Sequence, residues 1–208
     1  EELANQGKHA RVHIAHIKSV FGKGKDRAEE ILSKIYDLRA QEIEITADIY
    51  PYMASYTGIS IVFPTWSKTK AQFEIAKASR RSELETYLRN RVNLRNGPKA
   101  TLLGSAPYKG MSLAAAAKSN NKPFEQFLID DLGPQGGSAA YFVMDLNLQE
   151  RLLVDSLVGI CSDGSKTGNH PRGHGTFAKI IENYVVNDQK LNLIEAIRKM
   201  TSYPAQLL

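Results

Sequence analysis

One cysteine, Cys161, stands in 208 residues, which excludes an internal disulfide and any multi-cysteine zinc site in this chain. Long apolar runs are missing as well. None approaches the roughly 18 residues that a membrane-spanning helix needs, so no membrane partner is expected. The first residues, Glu1-Glu2-Leu3-Ala4, lack the basic start and apolar stretch of a secretory signal. With a lone thiol and no signal, a reducing, cytoplasmic setting is the expectation. There is no methionine at position 1, and Leu3 and Ala10 among charged neighbours read as part of a helix. The chain is therefore expected to begin partway through a longer protein. A basic stripe is absent too. The net charge is +5, from 27 Lys and Arg against 22 Asp and Glu, but the signs alternate, as in Lys23-Gly24-Lys25-Asp26-Arg27-Ala28-Glu29-Glu30. Nucleic-acid binding requires clustered positive charge, so no such partner is expected. Neither an internal repeat nor a low-complexity tract occurs.

What is present is enough for a core: 42% of the residues are hydrophobic and 8% aromatic. Arg11 to His16 alternates at period two and predicts a strand; Ala28, Ile31, Leu32, Ile35 and Leu38 fall at helical spacing within Gly24 to Gln41. Glu42 to Asp48 predicts a second strand. Strand, helix, strand in this span is a βαβ unit with parallel pairing. A similar unit is expected near the end, from Ala140–Met144 as strand, Leu146 to Ser156 as helix and Leu157 to Cys161 as strand, with helices at Ile180–Tyr184 and Leu193–Met200. Between the two lies a different kind of segment, polar and helical over Thr69 to Leu94 and punctuated by Asn96-Gly97-Pro98, and then an amphipathic helix pair over Met111 to Leu132. Long excursions between core strands are usually lids or inserted subdomains.

The chemistry-bearing residues stand at strand ends. Val12, Ile14, His16 and Lys18 share one face by alternation. If that face lines a barrel, His16 and Lys18 emerge at its carboxyl end, as a metal-binding histidine with a lysine beside it or as a capping histidine and a solvated lysine. Pro51 ends the second strand with Tyr50 and Tyr52 near the rim, as hydrogen-bond donors to a substrate or as packing aromatics. Gly159, Cys161 and Asp163 share a face, so small residues leave space before the carboxylate. Asp163 is open to three roles: metal ligand, general base, or turn acceptor ahead of Gly164. Arg172, after His170-Pro171, suits a bidentate clamp on a substrate carboxylate or a pairing with a nearby acid. Cys161 reads as a core residue.

Taken in order, His13-Ile14-Ala15-His16-Ile17-Lys18, Asp48-Ile49-Tyr50-Pro51-Tyr52-Met53-Ala54-Ser55, Cys161-Ser162-Asp163-Gly164, His170-Pro171-Arg172 with Gly175-Thr176-Phe177, and Glu195 to Thr201 resemble the N-acyl-D-amino-acid deacylases (D-aminoacylases) of the amidohydrolase superfamily. The resemblance implies an α/β fold: a partial (β/α)8 TIM barrel holding the later strands, with an inserted, mainly helical lid. Its portions would be 1–52 (barrel βαβ), 53–110 (lid) and 111–208 (remaining barrel). It implies zinc-dependent hydrolysis of N-acyl-D-amino acids, with one or two Zn2+ ions, His16 and Asp163 as metal ligands, and Asp163 as general base and acid. Lys18, Tyr50, Arg172 and Ser55 would contact substrate. Related amidohydrolases acting on dipeptides, cyclic amides or L-configured substrates, and a non-catalytic fragment, are the alternatives.

The pattern also departs from the family. The His-x-His pair, the metal-binding cysteine and the further histidine that precede the His16 motif have no counterparts here. His9, at a helix end, and His13, on the opposite strand face, are poor substitutes. Two ligands fall short of the three or four a zinc site needs, so the chain alone is expected to be inactive. Tyr56 stands where a small hydroxyl residue is usual, and Gly173-His174 replaces a bulky apolar pair, with His174 expected to face solvent. A partial barrel leaves open strand edges and predicts self-association.

Overall fold

The computed structural model describes residues 11–20, 22–165 and 168–207; the helix expected around Leu3 and Ala10, and His9 with it, lie outside them. The chain forms two compact units, one running to Met53 and resuming at Met144, the other Ala54–Val143.

In the first unit, β1 (Val12–Ile14), α1 (Gly24–Ala40) and β2 (Ile45–Ile49) make the expected βαβ unit, with Val12 opposite Ile45 in parallel register. β2 also pairs in parallel with a strand from far along the chain, Val158–Ile160, so the sheet order places β2 in the middle. The crossover to that strand runs through a helix at Leu146–Val154, whose cap Asp145 accepts from Leu148 N and from Gly24 N at the start of α1, each at 3.0 Å. These backbone donors hold the Asp145 carboxyl below the usual carboxylate range. Ile45, Ala47 and Ile49 of β2, with Val158 and Ile160, pack in one cluster with Ala28, Leu32 and Ile35 of α1 and with Leu148, Leu152 and Leu153. Val12 and Ile14 join that cluster. This face of the sheet is therefore the helix side, and alternation sends His13, Thr46, Asp48 and Gly159 to the other side.

The second unit departs from expectation. Its sheet is antiparallel: β3 (Ala54–Gly58) and β4 (Thr101–Leu103) flank β5 (Ser138–Phe142). The strand assigned from sequence to a second barrel βαβ unit, Ala140–Met144, is thus the centre of this sheet, and the second crossover starts from β2 itself. The excursion ends at Val143 rather than at 110, and it carries a three-stranded sheet beside its helices. These helices are α2 (Lys70–Ser79), α3 (Arg81–Leu94), α4 (Leu113–Ser119) and α5 (Phe124–Phe127), with Leu128–Leu132 continuing in a wider turn. At the seam, Met144 N donates to Met53 O at 3.3 Å. The chain leaves and re-enters the first unit at neighbouring points, so the parallel sheet closes without the insertion.

After α6 (Leu146–Val154) and β6 (Val158–Ile160), the first unit is completed by α7 (Arg172–Lys179), continued through Ile180–Asn187, and by α8 (Leu193–Met200) and α9 (Ser202–Ala205). Among the described residues, no helix is long and apolar enough to cross a membrane. Lys199 on α8 is fully buried, and its ammonium donates to the Asp155 carbonyl. Burial pulls its pKa down to about 8, with Glu195 and Asp155 opposing. The folded chain therefore binds this proton more weakly than the unfolded chain does. Stability rises as pH climbs from about 8 toward the ordinary lysine value of 10.5, and the penalty is present in full below that window. Lys199→Met is expected to stabilise the chain by about 1–2 kcal/mol at pH 7 and to abolish the alkaline rise. Thermal melts at both ends of the window check this, and a wild-type rise preserved in the variant would contradict it.

Candidate active site

The loops after β1, β2 and β6 bring most of the expected residues to one place. β1 ends at Ile14, and His16 sits in a turn at φ 42°, a left-handed conformation. Alternation therefore stops before His16, and the face shared by Val12 and Ile14 does not carry it forward. The turn is held from below by Asp48, whose carboxylate accepts from His16 N and lies 2.9 Å from His13 Nε2. His13 Nδ1 is 2.8 Å from Thr46 Oγ1. Neither His13 nor Asp48 was expected to take part. The signal was present in β2, where Thr46, Asp48 and Tyr50 alternate with the apolar Ile45, Ala47 and Ile49 that face the helices.

At the end of β2, Tyr50 is 1% exposed, and its carbonyl accepts from Gln149 Nε2 at 2.5 Å. Its ring is flanked by two cations: Arg172 with its guanidinium 4.8 Å from the ring centroid, and Lys18 with its ammonium at 5.2 Å. Among the described residues, the buried Tyr50 hydroxyl has no hydrogen-bond partner. Burial pushes the phenol up to about 12, and the positive charge of Arg172 works against that rise. Lys18 is pulled below the ordinary lysine value, first by burial and then by Arg172, with Asp163 opposing. Its ammonium lies 2.9 Å from His16 Nδ1.

Asp163 follows β6 and also adopts a left-handed conformation, φ 45°, one that Asp tolerates better than most residues. Its loop rides against the start of α7. A Cβ built on Gly164 would stand 2.5 Å from Gly173 Cα, so only glycine allows this approach. The result is an ion pair of 2.9 Å between Asp163 Oδ2 and Arg172, whose side chain is 9% exposed. Arg172 thus takes the nearby acid, one of the two partners its sequence context left open. Its backbone N donates to His170 Nδ1 at 3.0 Å, and His170 packs edge-on to Tyr50 and Tyr52. His174 is exposed, as expected.

Three expectations change. The space expected in front of Asp163 is taken over Gly159, where the Tyr203 ring would lie 3.1 Å from an added Cβ. A cavity of about 290 Å3 lies nearby, bounded by His13, Asp48, Cys161, Tyr203 and Leu207, on the sheet face away from the helix-side core. Ser55 belongs to the other unit, on β3, where it pairs across to Tyr141. Cys161, expected in the core, is instead half-buried and lines this cavity; burial raises its thiol pKa, and the Asp48 carboxylate raises it further. Alkylation of the native thiol by iodoacetamide at pH 8 is expected to be at least about 100-fold slower than in the unfolded chain. Comparable rates by mass spectrometry would contradict this.

Among the described residues, no three of His, Cys, Asp and Glu converge as ligands. The Lys18 ammonium, 2.9 Å from His16 Nδ1, competes with any other partner for that nitrogen.

No protein-family model matches the chain. A curated N-acyl-D-glutamate deacylase from Alcaligenes xylosoxydans is 26% identical over 196 residues, 93% of this chain and 34% of that protein. The crystal structure of an N-acyl-D-glutamate deacylase from Bordetella bronchiseptica, complexed with zinc and a phosphonate inhibitor, superposes with a TM-score of 0.70 at 24% identity, over 98% of this chain and 37% of that one. A D-aminoacylase structure gives 0.71 at 23% identity, over 99% and 38%. The chain spans little more than a third of the length of the proteins it matches. By sequence and by fold, it resembles that portion of the N-acyl-D-amino-acid deacylases.

Proposed function

We propose that this chain supplies the substrate-holding and proton-transfer side of an amidohydrolase that cleaves N-acyl-D-amino acids to a carboxylate and a free D-amino acid, and that its parallel sheet is the later part of a (β/α)8 barrel. The observation that carries the reading is the convergence of Lys18, Tyr50, Asp163 and Arg172 from three separate strand ends. Carboxyl ends of parallel strands are where barrel enzymes keep their chemistry. Arg172 and Lys18 hold the substrate carboxylate, the guanidinium by two parallel hydrogen bonds and the ammonium as a point charge. Tyr50 presents a protonated phenol that donates a hydrogen bond and walls off water. Asp163 takes a proton from the attacking water and returns it to the departing amine nitrogen. Arg172 orients Asp163 until substrate draws the guanidinium away.

Zinc, as held by the Bordetella relative, polarises an amide carbonyl and acidifies water when bound. Among the described residues its ligand set is not formed. The same observation favours a second reading, a non-catalytic fragment that associates through the outer edges of β1 and β6. The enzyme carrying this chain, with the remaining two thirds of its relatives' length, is expected to hydrolyse N-acetyl-D-glutamate with a kcat/KM at least about 100-fold above that for the L-enantiomer. Equal rates would favour an L- or dipeptide-directed amidohydrolase, and no hydrolysis of either the fragment reading.

A further inference from the structure

Helix α7 opens at Arg172, and the first N–H groups of a helix have no partner within it. A side-chain oxygen at the cap position ordinarily accepts from one of them. Here that position holds Pro171, which has no polar side-chain atom. The acceptor comes from one residue further back, where His170 Nδ1 takes the Arg172 N–H at 3.0 Å. The donor is a backbone N–H, so Nδ1 carries no proton. His170 and Arg172 are both buried, and an acceptor lost from a buried donor costs more than one lost at the surface.

Aromatic rings hold the imidazole in this orientation. It stands edge-on to Tyr52, with ring centroids 5.2 Å apart, and edge-on to Tyr50 at 6.3 Å. Tyr52 is fixed in turn from α7: the Lys179 ammonium lies 4.5 Å from its ring centroid, and a Cβ added to Gly175 would come within 2.6 Å of its hydroxyl. His170 therefore cannot swing away from the helix start without displacing a packed ring. The Tyr50 ring is also the surface on which the Arg172 guanidinium rests, at 4.8 Å. Arg172 is thus governed by His170 at both ends, at its backbone through the hydrogen bond and at its guanidinium through the ring beneath it.

We infer that His170 is a positioning residue for Arg172: its Nδ1 fixes the backbone from which the guanidinium is aimed at a substrate carboxylate. The inference rests on the carboxylate clamp proposed above. Two substitutions separate the acceptor from the ring. His170→Phe keeps a ring against Tyr50 and Tyr52 and loses the acceptor, whereas His170→Asn loses the ring and keeps an acceptor at the same number of bonds from Cβ as Nδ1. In the enzyme carrying this chain, His170→Phe is expected to raise KM for N-acetyl-D-glutamate at least about tenfold, with kcat changed by no more than a few-fold. His170→Asn is expected to keep KM within about threefold of wild type. His170→Gln, whose polar atoms fall where Nε2 stands, is expected to match His170→Phe and replaces it should the phenylalanine variant not fold. Once Arg172→Met is in place, none of these substitutions is expected to raise KM further. A KM raised as much by His170→Asn as by His170→Phe, or left unchanged by His170→Phe and His170→Gln while Arg172→Met raises it, overturns the positioning role. An unchanged KM in Arg172→Met itself would instead overturn the clamp.

Discussion

Asp163→Ala should lower the stability of the chain by about 3–5 kcal/mol, and Arg172→Met by only about 1–2 kcal/mol, although each breaks the same ion pair. The asymmetry comes from burial. The Arg172 side chain is 9% exposed and that of Asp163 28%. Without Asp163, a guanidinium is left in the interior without its acid, pressed on the Tyr50 ring and close enough to Lys18 that each cation opposes the other. Without Arg172, the buried charge leaves with the side chain, and Asp163 keeps access to water and the attraction of Lys18. The double variant is therefore expected to be no less stable than Asp163→Ala alone, a coupling of about 1–2 kcal/mol in a double-mutant cycle. Urea denaturation of the four proteins measures it. Equal losses for the two single variants, or strict additivity, would mean that the pair does not hold the loop after β6 against α7.

The parts of the fold legible in the sequence are those where one periodicity fixes one partner. The apolar spacing of α1 and the alternation in β2 leave a βαβ unit as the only economical arrangement, and β1, α1 and β2 form it. The run expected as a parallel strand, Ala140–Met144, overlaps the antiparallel Ser138–Phe142 because a short alternating strand looks the same in both kinds of sheet; the choice is made by β3 and β4, far away in sequence. The turn at His16 escaped notice because alternation was carried two residues past the last paired position, Ile14. Lys18, Tyr50, Asp163 and Arg172 form a set in the sequence only through the family resemblance their motifs carry, each being open to a bland reading alone, and the structure brings the four side chains together. The support beneath them was not. His13 and Asp48 matter only once β2 has been placed with Ile45, Ala47 and Ile49 against the helices, and that orientation depends on α6, about a hundred residues away.

The proton-carrying role proposed for Asp163 carries the largest kinetic expectation. Asn has the shape of Asp and still accepts a hydrogen bond from Arg172, but it cannot take up a proton, so the loop should survive the exchange while the chemistry does not. In the enzyme carrying this chain, Asp163→Asn is expected to lower kcat for an N-acyl-D-amino acid by about 10²–10⁴-fold, with KM changed by no more than a few-fold and the zinc content of the purified enzyme retained. Parallel steady-state kinetics and elemental analysis of wild type and variant are the decisive measurement. A kcat within a few-fold of wild type, with zinc retained, would show that another group moves the proton and would contradict the account.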